Sequence, residues 1–180
     1  MKFIPDQEQL IAANWDLNPS SYLLITAGPG TGKSATLKLR VEYLLNQGID
    51  PSKILIITFT KKATKELQQR LNKHHYLNIY TFHALASRLL HSIGIEITPM
   101  SDALFRSLIR DLDYPSIPKK DLVLEISRAI NLMPGSNQDL AETYIKFKKE
   151  KALFDHEDLI RLASKNISKG KISADYKYIL

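Results

Sequence analysis

The sequence predicts an α/β fold in which helices flank a parallel sheet, with an inserted segment that is entirely helical. Two observations support this fold class. Up to about residue 94, short apolar runs rich in β-branched residues alternate with amphipathic helical patterns, which is typical of a parallel sheet. From about residue 98 to residue 166, only helical patterns follow, and the turn sequences YPSIPKK and MPGSN separate them.

The first region is expected to contain three strands, at Leu23–Ile25, Ile54–Phe59 and Leu77–Tyr80, each followed by a helix. The pattern predicts three parts in the chain. Residues 1–95 form the first part of the sheet domain, residues 96–168 form the inserted helical subdomain, and residues 169–180 return to the sheet domain and end at its next strand.

Composition limits the classes of function. The 180 residues include no cysteine, which excludes disulfides, thiolate metal sites and thiol nucleophiles. No apolar stretch is long enough to cross a membrane, and the first residues are too short an apolar run for a secretory signal. The absence of cysteine makes a reducing cytoplasm the expected compartment. The net charge of +6 is compatible with a nucleic-acid partner.

Residues 27–34 read AGPGTGKS and follow the first predicted strand. They match the phosphate-loop pattern of a small residue, four variable positions and Gly-Lys-Ser/Thr, which predicts a P-loop NTPase fold. The alternative is a glycine-rich turn without a ligand. In the functional reading, backbone amides surround the phosphates, Lys33 adds a positive charge and Ser34 binds Mg²⁺. The nucleotide-binding residues are predicted to be Ala27, Gly28, Pro29, Gly30, Thr31, Gly32, Lys33 and Ser34.

Two further motifs follow the second and third predicted strands: TFTKKAT at residues 58–64 and YTFHALASRLL at residues 80–90. Both place polar and aromatic residues at the carboxyl ends of parallel strands, the edge where such sheets bind ligands. An exposed ring there could stack on a base, although burial of Phe59 and Phe82 in the core is the alternative. The candidate nucleic-acid contacts are Thr58, Phe59, Lys61, Lys62, Thr81, Phe82 and His83.

The three motifs, in this order, resemble those of superfamily 1 helicases of the UvrD/Rep/PcrA type, which carry a phosphate loop, a TFT-x-KAA motif and a TFH-x-L motif. The N-terminal FIPDQEQLI resembles the adenine-reading segment of that family, with Gln7 at the matching position and Gln9 as the other register. The stretch YIKFKKEKALFDHEDLI is similar to the last helices of the helical subdomain of that family.

The resemblance implies a RecA-like sheet, ATP and Mg²⁺ as cofactors, and single-stranded DNA as partner. Gln7 would bind adenine, Lys33 and Ser34 would serve the catalytic site, and the two later motifs would line the DNA path. The helical insertion would approach duplex DNA at a junction. Two residues depart from the family: Ala35 stands where Arg is common, and Lys61 stands where Asn is common.

Hydrolysis of ATP also requires acidic residues that hold Mg²⁺ and orient water. The segment FDHED at residues 154–158 is a candidate, but its pattern favours a helix start, with Asp155 as the N-cap and Glu157 and Asp158 in the first turn. In the family, the acidic pair follows a strand that would begin at the closing DYKYIL. We therefore expect this chain to bind nucleotide but neither to hydrolyse it nor to unwind DNA without the rest of a helicase, including its second motor domain.

The whole protein is then expected to be an ATP-dependent DNA helicase that moves 3′ to 5′ on single-stranded DNA and serves DNA repair near the bacterial nucleoid. Two other functions stay open: a naturally shortened, non-catalytic nucleic-acid-binding or regulatory protein, and a small P-loop kinase. The basic clusters PKKD and KFKKEK in the insertion are either DNA contacts or solvated helix faces.

Overall fold

The computed structural model describes residues 4–15, 22–71, 76–112, 114–131 and 133–180. Helices and short parallel strands alternate in the first part, and helices follow. The elements in chain order are α1 (Gln7–Ala13), α2 (Lys33–Asn46), a 3₁₀ turn (Pro51–Lys53), β1 (Ile54–Thr58), α3 (Lys61–Arg70), β2 (Asn78–Thr81), α4 (Phe82–His91), α5 (Asp102–Asp111), α6 (Lys119–Ile130), α7 (Gln138–Glu150), α8 (His156–Ser168) and β3 (Tyr178–Ile179).

The described strands form one parallel sheet in the order β2-β1-β3. The central strand β1 is almost completely buried, as expected for an apolar strand that is covered on both faces. Its neighbour β3 pairs through Ile54 with Tyr178 and through Leu55 with Ile179, and backbone hydrogen bonds of Leu180 extend this pairing. The α/β fold class predicted from the sequence is confirmed.

One predicted strand is absent from the described sheet. Residues 23–25 have no ladder partner, and Leu24 is 82% exposed. A strand forms only where its backbone groups exchange hydrogen bonds with a neighbouring strand. In the described sheet β2 and β3 flank β1, and residues 23–25 form no ladder with either of these outer strands. The apolar run before the phosphate loop is therefore not part of the described sheet, and the prediction of a strand there was wrong for the described part of the chain.

The other two strand predictions are confirmed, with small shifts at their ends. The second strand ends at Thr58, one residue earlier than predicted, which leaves Phe59 outside the ladder. The third runs from Asn78 to Thr81. Both shifts matter for function because they place a threonine at the end of each strand and a phenylalanine immediately after it.

The chain divides into two compact units, Met1–Leu85 with Ser173–Leu180, and Ala86–Ile172. In the first, helices pack on the sheet around a core that includes Val41, Leu44, Ile54, Ile56, Leu67 and Ile79. In the second, α5, α6 and α7 enclose a separate core that includes Ile109, Leu122, Ile126, Leu140 and Tyr144. Each unit thus buries its own apolar stripes, as independent cores require.

Candidate functional site: phosphate loop and sheet edge

The phosphate loop turns directly into α2, which begins at Lys33. Gly30 and Gly32 have φ angles of 78° and 88°, a left-handed conformation that residues with a Cβ rarely adopt. Gly32 is the N-cap of α2, so the first amides of that helix lie at the loop. The glycines therefore fold the chain into a turn that presents the positive end of a helix, which is the arrangement that binds phosphate groups.

The side chain of Lys33 folds back over this loop. Its Nζ donates to the carbonyl oxygens of Ala27, at 2.9 Å, and of Gly28. The Thr31 hydroxyl also donates to the Gly28 carbonyl, at 2.9 Å. Lys33 and the neighbouring Ser34 are exposed, so their polar groups are accessible. A loop with a lysine, two hydroxyls, helix-end amides and no carboxylate has the donor set that a polyphosphate with its magnesium ion requires.

The two glutamines near the N-terminus have different surroundings. Gln7 is exposed at the first position of α1. The amide of Gln9 is held at both ends: its Oε1 accepts from the backbone N–H of Asp6 at 3.1 Å, and its Nε2 donates to the Thr31 carbonyl at 3.0 Å. The first bond completes a capping box with Asp6, and the second joins α1 to the phosphate loop.

The two later motifs meet at one edge of the sheet. Thr58 and Thr81 are direct partners in the parallel ladder between β1 and β2. Phe59 is 92% exposed and Phe82 is 54% exposed, so neither ring belongs to the core, although burial was the alternative that the sequence left open. The carboxyl edge of these two strands therefore presents two accessible aromatic rings.

The threonine hydroxyls at this edge are engaged within the chain. Thr58 is buried, and its Oγ1 lies 2.6 Å from the Thr64 hydroxyl. Thr81 Oγ1 accepts from the Ala84 N–H at 3.3 Å, at the start of α4. Thr60 provides the N-cap of α3. These hydroxyls thus fix the helix starts that follow each strand.

Three basic or imidazole residues closely follow the two phenylalanines in sequence. Lys61 and Lys62 are exposed in the first turn of α3. Cations at a helix N-terminus are unfavourable for the helix dipole, so the helix itself does not favour lysines at these positions. Because both lysines are exposed, they are accessible to an anionic ligand. His83 is half-buried, with its Nε2 shielded from solvent.

FDHED is a helix start, as its pattern predicted. Asp155 is the N-cap of α8 and forms a capping box with Asp158. Lys148 Nζ lies 2.6 Å from a carboxylate oxygen of each aspartate, and the Tyr144 hydroxyl donates to Asp155 at 2.8 Å. Burial opposes ionisation of Asp155, but the hydrogen bonds from Lys148 and Tyr144 and the lysine charge outweigh it and lower its pKa. The carboxylates of Asp155 and Asp158 thus form the cap of α8 and its ion pairs with Lys148.

Sequence reasoning missed two buried cations. Lys148, inside the KFKKEK cluster, is only 4% exposed, and Arg40 is 6% exposed with its guanidinium bonded to the Ala13 carbonyl at 3.0 Å. A signal existed in each case, because Lys148 continues the spacing of Leu140 and Tyr144, and Arg40 lies three residues after Leu37 on the apolar stripe of α2.

Within the described residues, three or more His, Cys, Asp or Glu side chains nowhere cluster as a metal site would require. The same part of the chain contains no helix with the length and apolarity needed to span a membrane.

Comparison with known proteins agrees with this geometry. Residues 6–179 match the family described as the UvrD/REP helicase N-terminal domain. A "Probable DNA helicase II homolog" of Mycoplasma pneumoniae is 38% identical over 110 residues, which cover 57% of this chain and 15% of that protein. The ATP-dependent DNA helicase SRS2 of Saccharomyces cerevisiae is 34% identical over 134 residues, or 65% of this chain and 11% of that protein.

The ATP-dependent DNA helicase UvrD1 of Mycobacterium bovis is 37% identical over 94 residues, which cover 49% of this chain and 12% of that protein. The aligned parts therefore span 15% or less of these three relatives. The family match, in contrast, extends along nearly the whole chain. This protein belongs to the UvrD/REP helicase N-terminal domain family.

Proposed function

We propose that this chain is the ATP-binding, single-stranded-DNA-binding N-terminal region of a DNA helicase. One observation carries the proposal: two neighbouring parallel strands end in register, and each is followed by an exposed phenylalanine, in a chain that also contains a phosphate loop. The phosphate loop provides a site for the nucleotide, and the edge of the sheet provides a site for single-stranded DNA.

The nucleotide is proposed to bind along residues 27–34. Lys33 would exchange its two loop carbonyl partners for phosphate oxygens, and Ser34 would hold the magnesium ion that accompanies ATP and neutralises developing charge. Gln7, exposed at the start of α1, would bind the adenine. Because Ala35 provides no side chain that could stack on a base, the base contacts rest mainly on α1.

Single-stranded DNA is proposed to bind at the β1/β2 edge. Phe59 and Phe82 would stack on bases, while Lys61 and Lys62 would contact phosphates. Stacking accepts any base, so such a surface holds a strand without reading its sequence, as a translocating motor requires. The family resemblance adds movement in the 3′-to-5′ direction, a role in DNA repair and a cytoplasmic location to the proposal.

Hydrolysis and unwinding are proposed to depend on parts of the helicase beyond these 180 residues. Asp155 and Asp158 form the cap and the ion pairs of α8, so neither serves as a magnesium ligand or as a base for water. The exposed lysines of the insertion, such as Lys149, are proposed to approach duplex DNA at a junction.

The test is ATP turnover and oligonucleotide binding measured in the same samples, with and without single-stranded DNA, using Lys33→Ala as the blank. We expect strand binding without turnover. DNA-stimulated turnover that disappears in Lys33→Ala would contradict the proposal that hydrolysis depends on other parts of the helicase, and the carboxylates of FDHED would become the first candidates for a catalytic role. Nucleotide binding with no affinity for single-stranded DNA would favour the small P-loop kinase, and DNA binding with no affinity for nucleotide would favour the non-catalytic nucleic-acid-binding protein.

A further inference from the structure

We propose that Gln9 and Arg40 are positioning residues that hold α1 at both ends, so that Gln7 meets the base of a nucleotide whose phosphates lie in the loop. The inference rests on the proposed function, because it needs a nucleotide at residues 27–34. It goes beyond that function because it makes the preference for adenine depend on Gln9 and Arg40, which position Gln7 but do not themselves contact the base.

Gln9 connects the start of α1 to the phosphate loop. Its Oε1 is occupied by the Asp6 N–H and its Nε2 by the Thr31 carbonyl, so both ends of one amide are already bonded. An amide held in this way cannot turn towards a base without breaking the capping box. Gln7 remains the exposed glutamine of the helix. Gln9 therefore fixes where α1 lies and leaves base recognition to Gln7.

Arg40 holds the other end of α1. It is a buried cation in α2, and its Nη1 donates at 3.0 Å to the carbonyl of Ala13, the last residue of α1. The C-terminal carbonyls of a helix lack partners within the helix and carry partial negative charge, so a guanidinium is well suited to this position. The Arg40 guanidinium also lies 5.4 Å from the centre of the Tyr43 ring.

The two contacts tie α1 to the nucleotide site from both directions. Thr31 belongs to the phosphate loop, and Arg40 belongs to α2, which begins at Lys33 of the same loop. A helix of seven residues has little stability of its own, so its position depends on such contacts. Loss of either contact should loosen base recognition, while the phosphate contacts of the loop stay in place.

The experiment compares dissociation constants for ATP, GTP and inorganic tripolyphosphate. The readout is the ratio of the dissociation constants for GTP and ATP. Both nucleotides carry the same phosphates, so any change in the charge of the protein affects their binding equally. Gln9→Glu is the main variant: glutamate also forms a capping box, so the helix start is kept, but it cannot donate to the Thr31 carbonyl. Gln9→Met repeats the test without added charge.

We expect the wild type to prefer ATP, and we expect Gln9→Glu, Gln9→Met and Arg40→Met each to lower that preference about three- to tenfold, as the loss of one hydrogen bond predicts. Arg40→Lys should retain part of the preference for ATP, because lysine can still donate to the Ala13 carbonyl. Lys38→Met changes a partly exposed residue on the same helix and should leave the preference for ATP unaltered. Tripolyphosphate should bind the wild type and Gln9→Met equally. Thermal melting confirms that each variant is folded.

A double-mutant cycle tests whether Gln9 acts through Gln7. If it does, Gln7→Glu with Gln9→Glu should lose no more preference than Gln7→Glu alone. Additive losses of ATP preference would show that Gln9 contacts the base itself, and so would a loss in Gln9→Glu with none in Gln7→Glu. Either result would overturn the inference. A wild type that binds both nucleotides equally through Lys33 would overturn it while the proposed function stands. A chain that binds no nucleotide or tripolyphosphate would refute both.

Discussion

Thr58 and Thr81 face each other across the parallel ladder of β1 and β2, and each is the last residue of its strand. The pairing joins two threonines that lie 23 residues apart in the sequence, and so brings the two motifs that contain them to one edge of the sheet. It also fixes the two phenylalanines that follow, because each leaves its strand at the same level. The proposed path of single-stranded DNA depends on this register.

Removing either exposed ring should weaken binding of single-stranded DNA. Phe59→Ala and Phe82→Ala should each cost about 1 to 3 kcal/mol of binding free energy, the range for loss of one base–aromatic stack. Fluorescence anisotropy with a labelled oligonucleotide measures this. Tyr76→Ala is the matched control, since Tyr76 is also exposed but precedes β2 and so lies towards the opposite edge. Equal losses for Tyr76 and for the two phenylalanines would place the DNA elsewhere.

The extra charge at Lys61 should show in the salt dependence of DNA binding. A contact between Lys61 and a phosphate releases counterions, so Lys61→Asn should reduce the slope of log K against log salt by about 0.7. The measurement is a series of oligonucleotide titrations at increasing salt. Lys169→Asn, an exposed lysine of the other unit, serves as the control. An unchanged slope in Lys61→Asn would remove this residue from the path.

Lys148 should be important for stability although it is a surface-type residue. Lys148→Met leaves the carboxylates of Asp155 and Asp158 without their cation, and loss of one partner from a buried ion pair costs about 3 to 5 kcal/mol. Urea unfolding measures the change. Lys149→Met, next to it and exposed, should stay within about 0.5 kcal/mol. A similar small change in both variants would show that the network contributes little.

The same network predicts acid sensitivity. The pKa of Asp155 is lowered on folding, so its contribution to stability is fully present above its unfolded value of about 3.9 and is lost as the pH falls through the lower folded value. The free energy of unfolding should therefore decline as the pH falls below about 5. Asp155→Asn should flatten that decline. An unchanged pH profile in Asp155→Asn would assign the acid sensitivity to other carboxylates.

The features that could be predicted from the sequence are local ones. The glycine pattern of the phosphate loop, the cap at Asp155 and the strands that end near Thr58 and Thr81 all depend on neighbouring residues, and all are found. Exposure of Phe59 could not be decided, because a phenylalanine at a strand end is more often buried.

The features that were missed depend on distant residues. The apolar run at 23–25 satisfies the local pattern of a strand, but a strand also needs a partner that lies alongside it, and these residues pair with no strand of the described sheet. Arg40 and Lys148 are buried because carbonyl or carboxylate partners come from other elements of the fold. The spacing of Arg40 could indicate that it is buried, but its partner, the Ala13 carbonyl, lies 27 residues away in sequence and could not be identified from composition or periodicity.

The central claim is that the loop at residues 27–34 binds the phosphates of ATP. Equilibrium binding of ATP with Mg²⁺ by the 180-residue chain tests it most directly. Lys33→Ala is the test variant, and Lys38→Ala, at a partly exposed lysine on the same helix, is the control. A hydrogen bond to a charged group contributes about 1.5 to 3 kcal/mol, so Lys33→Ala should weaken ATP binding by at least about tenfold, and Lys38→Ala should not. Equal affinity in all three proteins would contradict the account.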